Sequence, residues 1–76
     1  MSIDRFAAEL FDEAPPHPVT LGEQLSEVMR EIAFRRVIYT NAVRARRMNI
    51  ITARSRLWAM EAVAATLRRQ IVEGRS

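Results

Sequence analysis

The sequence predicts an all-α fold, a short N-terminal helix followed by a long antiparallel helical hairpin. Three observations carry that prediction. Alanine and arginine, with glutamate, leucine and methionine, dominate a chain of 76 residues that holds only two glycines, and this is helical composition. Two long stretches repeat apolar residues at helical spacing. Only about three residues separate those stretches, a connection that forces them antiparallel.

The first element is an amphipathic helix within residues 1–14, running from about Ile3 to Glu13. Ser2 is its candidate N-cap, and Asp4 sits in the first turn, where the helix dipole favours negative charge. Ile3, Phe6, Ala7, Leu10 and Phe11 fall on one face. The helix ends at "APPHP", because three prolines within four positions cannot continue it. Residues 15–19 form a stiff Pro-rich linker, and His17 within it reads as a solvated side chain.

Residues 20–74 form the hairpin. Thr20 followed by Glu23 is a capping box, so the first long helix starts there and runs to about Ala45. Asn49 is the N-cap of the second, which ends near Glu73 with Gly74 as a natural C′ residue. Leu21, Leu25, Val28, Ile32, Tyr39 and Val43 share one face. Ala53, Leu57, Met60, Ala64, Leu67 and Ile71 share one face of the partner helix. Closing the hairpin sets Leu25 opposite Ile71, Val28 opposite Leu67, and Ile32 near Val63 and Ala64. Both stripes meet in register. In the closed hairpin Arg35 and Arg36 flank the stripe, Arg35 stands almost level with Glu61, and the two arginines are expected to engage Glu61 in an ion pair across the helices.

The charge is unevenly distributed. The net charge is +3 and the pI about 11.0, and every one of the 12 basic residues is arginine. Residues 1–31 hold seven acids and two arginines, a balance of −5. Residues 32–60 hold seven arginines and no acid, a balance of +7. Arginine-only usage has two readings. One is selection for forked contacts to phosphate or carboxylate. The other is a coding bias that replaces lysine everywhere.

Several classes are set aside by composition. The absence of cysteine excludes disulfides and thiolate metal sites. One histidine cannot assemble a metal site alone. No apolar run approaches the roughly 18 residues of a membrane span, and the first residues lack the basic-then-apolar pattern of a signal peptide. A cytoplasmic protein is the expectation. No Gly-rich phosphate loop, cysteine nucleophile or convergent Ser–His–Asp set occurs. Nor is any element left over to form a pocket. No enzymatic activity, cofactor or small-molecule substrate is therefore expected.

"REIAFRRVIYTNAVRARRM", with "MEAVAATLRR" twelve residues after Met48, resembles small uncharacterised proteins encoded in phages and prophages of proteobacteria. Their pattern runs roughly E-I-x-x-R-R-x-x-Y-P-x-x-V-x-x-G-x-M, then M-E-A-I. The resemblance covers about Thr20 to Arg69, and Arg35, Arg36, Tyr39, Val43, Met48, Ala53, Met60, Glu61 and Ala62 fall on it. Thr40 stands where the pattern has proline, and Arg46 where it has glycine. The second departure bears on the turn, since glycine would supply a left-handed conformation that arginine disfavours. The resemblance implies a phage-borne accessory protein and no particular activity.

Two sets of residues remain after the hairpin closes. Phe34, Val37 and Ile38 lie on the back of the first long helix. Ile51, Trp58, Ala65 and Val72 recur every seven residues on the second, away from its main stripe. Helices apolar nearly all round are buried, so these seven residues are the candidate partner or dimer interface, and a homodimer built as a four-helix bundle is expected. Arg44, Arg46, Arg47, Arg54 and Arg56 cluster toward the bend as a candidate polyanion site. No aromatic residue is interleaved there for base stacking, which suits phosphate-backbone contact without sequence readout, and equally an acidic protein surface. The expected function is a non-catalytic helical module that docks on another protein, such as a host or defence factor. The alternative is a nucleic-acid-associated protein that uses the arginines of the bend.

Overall fold

The computed structural model describes residues 9–10 and 16–74. Two α-helices dominate them, α1 over Leu21–Arg44 and α2 over Ile50–Glu73. Each has 24 residues, about 36 Å of helix at 1.5 Å per residue. They pack against each other as a hairpin. The direction is fixed by two contacts across it, Arg36 with Glu61 and Arg68 with Met29. The partner number falls as the α1 number rises, which makes the pair antiparallel.

The first turn of α1 forms because its free N–H groups find side-chain partners. Thr20 is extended, its Oγ1 accepts from the Glu23 N–H at 3.0 Å, and Glu23 Oε1 accepts from the Thr20 N–H at 3.1 Å. That is the capping box read from the sequence. Asn49 starts α2 in the same way, with its Oδ1 accepting from the Ile51 N–H at 2.7 Å.

The bend closes differently from the expectation. It holds the five residues 45–49, not about three. The N–H of Arg46 donates to the Val43 carbonyl at 3.0 Å, and that of Arg47 to the Ala42 carbonyl at 2.8 Å. This paired arrangement is a Schellman motif, which satisfies the last carbonyls of α1 and needs a left-handed residue just past the helix. Arg46 takes that role, with φ 59°. The motif and the cap of α2 each need residues outside the helices, which accounts for the longer connection. At the other end Gly74 caps α2 with φ −70°, so it does not use the left-handed freedom expected of a C′ glycine.

The core follows the two stripes. Ile32 and Tyr39 of α1, with Ala53, Ala64 and Leu67 of α2, are buried. Leu21, Leu25, Val28, Val43, Leu57, Met60 and Ile71 are half-buried around them. Val63, expected near Ile32, is exposed and points off the seam.

The N-terminal helix expected over residues 3–13 lies outside the described residues, except for Glu9 and Leu10, which are helical and exposed. Among the described residues no helix is long and apolar enough to cross a membrane.

Candidate functional site

The hairpin has two flanks, one on each side of the seam where the helices meet. At about 100° per residue, Arg35 and Arg36 fall on opposite flanks. Of the two arginines expected near Glu61, one makes the ion pair across the helices. Arg36 donates from Nη2 to Glu61 Oε1 at 3.1 Å, and it is the residue that bridges the helices. Arg35 and Glu61 do stand level along the axis, but one residue of rotation puts them on different sides.

Arg35 organises its own flank. Its Nε donates to Glu31 Oε1 at 2.7 Å and its Nη1 to the Tyr39 hydroxyl at 3.0 Å. The hydrogen bond from Arg35 favours the anionic form of Tyr39, so the phenol lies below its usual pKa despite opposing desolvation, with a further contribution from Arg56 of α2. The same contacts, Tyr39 first and Glu31 second, raise Arg35. Tyr39 is buried, and these arginines hold its polar tip.

The opposite flank carries a groove, although no pocket was expected from the sequence. It has a volume of about 380 Å³ and lies beside the bend. Val43, Ile50, Ala53 and Leu57, with Tyr39, supply its apolar lining, and Arg36, Arg44 and Arg54 supply its charge. Val43 and Leu57 are only half-buried beside it. The expected arginine cluster is therefore divided. Arg44 and Arg54 line the groove, Arg46 and Arg47 sit in the turn, and Arg56 faces Tyr39 from the other flank. Among the described residues, Arg44, Arg46, Arg47 and Arg54 have no carboxylate partner, and all four are exposed.

The candidate interface residues remain on the surface of the single chain. Phe34 is 60% exposed, Val37 61%, Ile51 69%, Trp58 64% and Val72 69%, and Ile38 and Ala65 are exposed too. Phe34 and Ile38 belong to the Arg35 flank by helical angle. Trp58, Ala65 and Val72 belong to the groove flank. Two outward patches result, not one. Among the described residues no three His, Asp or Glu side chains gather as a metal site. No protein-family model, curated protein or solved structure matches the chain.

Proposed function

We propose that this chain is a phage-type accessory protein that works by binding other protein surfaces, non-catalytically, as a homodimer built as a four-helix bundle. The observation that carries the reading is the exposure of Phe34, Val37, Ile51, Trp58 and Val72 on a hairpin whose own seam leaves them uncovered. Fully burying each such side chain is worth roughly 1.5–3 kcal/mol. Exposed apolar side chains grouped on a surface mark sites of association. A host or defence factor is the partner class that fits a phage-borne module. Light scattering at micromolar concentration tests the dimer, and Trp58→Ala should shift the protein toward monomer. A wild-type chain that stays a compact monomer refutes the bundle.

A second reading has an observation of its own. Arg44, Arg46, Arg47 and Arg54 gather at the bend without carboxylate partners among the described residues. They suit contact with a phosphate backbone. Binding to random duplex DNA would then weaken with a log–log salt slope near −0.9 per phosphate contacted. A variant with Arg44, Arg46 and Arg47 changed to serine should lose that binding. Equal binding by variant and wild type removes this reading.

A further inference from the structure

We infer that the arginine-lined groove beside the bend receives residues 3–13 of a second copy of this chain. The inference rests on the dimer reading above and names what the partner copy contributes. The groove sets the terms. Its apolar side chains, Val43, Ile50 and Leu57, need an apolar occupant, and Arg44 and Arg54 need acids beside it. Residues 3–13, "IDRFAAELFDE", meet both terms, with four acids and one arginine around an apolar face. As a helix the segment sets Asp4 and Glu13 on opposite edges of the stripe formed by Phe6, Leu10 and Phe11. The lengths agree as well. From Arg36 to Arg44 the groove runs about 12 Å along α1, and an eleven-residue helix is about 16 Å long.

The chain's own segment is poorly placed for this site. The middle of the groove, near Thr40, lies about 29 Å up α1 from Leu21. The near edge of the groove, at Arg36, is about 22 Å from Leu21, and the eight steps from Glu13 to Leu21 span about 25 Å in the polyproline conformation, so the chain would have to double back almost fully stretched. Leu10, on the apolar stripe, is 56% exposed in the single chain. In an antiparallel pair, by contrast, the open end of one hairpin lies at the bend of the other. That pairing also sets the acidic residues 1–31 against the basic residues 32–60. A closed two-fold makes the exchange reciprocal, each copy filling the other's groove.

Because the chain has no cysteine, cross-linking between mixed copies tests this directly. A full-length Leu10→Cys chain mixed with a full-length Ile50→Cys chain should form a disulfide-linked heterodimer under mild oxidation. The Leu10→Cys chain mixed with a Ser26→Cys chain, an exposed position in the lower half of α1, should form little. Asp4→Arg with Glu13→Arg in the first chain should abolish the product. Arg44→Glu with Arg54→Glu in the second chain should restore it, which a merely misfolded variant would not do. A cross-link no stronger than that of the Ser26 control overturns the assignment, as does one that forms only within a single chain carrying both cysteines. Light scattering separates the two failures: a dimer without the cross-link loses only the groove assignment, whereas a monomer loses the dimer reading with it.

Discussion

Replacing Arg46 with glycine should stabilise the protein. Arg46 holds φ 59° because the Schellman motif at the end of α1 requires a left-handed residue there. For a residue with a Cβ that conformation costs roughly 1–2 kcal/mol, and glycine removes the cost. Glycine also loosens the unfolded chain, which takes back roughly 0.4–1 kcal/mol. The net gain is about 0.5–1 kcal/mol. For a domain this small that raises the melting temperature by roughly 2–8 °C. The assay is thermal unfolding followed by circular dichroism, at one fixed protein concentration, since association shifts apparent stability. Removing a charge from a crowded basic bend could also stabilise, so Arg46→Ala is the necessary comparison. It loses the guanidinium but keeps the Cβ. A glycine variant that melts no higher than the alanine variant would refute the claim that backbone strain at Arg46 limits the turn.

Tyr39 is the only tyrosine, so its absorbance change on ionisation reports one group. Arg35 holds its pKa below 10 in the folded protein, and the unfolded phenol ionises later. The folded state therefore sheds its proton first, and stability from this group rises with pH between the two values and is lost as pH falls through the folded one. A titration midpoint at or above the free-phenol value contradicts the Arg35 contact. Ile32 is 2% exposed at the centre of the seam, and Ile32→Ala should cost about 2–5 kcal/mol, enough to abolish cooperative melting in so small a core. Thr20→Ala should cost about 1 kcal/mol by opening the capping box, read as a lower denaturation midpoint with an unchanged slope.

Local chemistry was legible in the sequence where it depends on near neighbours. Thr20 with Glu23, and Asn49 before α2, announce the helix starts because each cap acts over two or three residues. The seam was legible too, since Ile32, Tyr39, Ala64 and Leu67 repeat with the helical period. Which flank a residue takes was harder to read. One position turns a side chain by about 100°, and the level of Arg35 along the axis gave no guide to its side, so of the two arginines expected near Glu61 it is Arg36 that makes the bridge. Arg56 was grouped with the bend for the same reason, although it faces Tyr39. The groove was invisible from spacing alone, because its lining comes from both helices and depends on how they pack together. The turn itself needs five residues, since the Schellman motif of α1 and the cap of α2 do not overlap.

The burial pattern divides the hairpin into unequal halves. Among the described residues every buried side chain lies between the level of Leu67 and the bend, whereas Leu21, Leu25, Val28 and Ile71 at the open end are only half-buried. Few apolar contacts mean low local stability, so this end unzips at a fraction of the global unfolding free energy. Amide hydrogens there should exchange soonest, and those near Ile32 and Tyr39 last. The segment before Thr20 and the last turn of α2 both attach at this weak end. Tags or fusions joined at either terminus would therefore pull on the part of the fold that already opens, and leave the strong half beside the bend undisturbed.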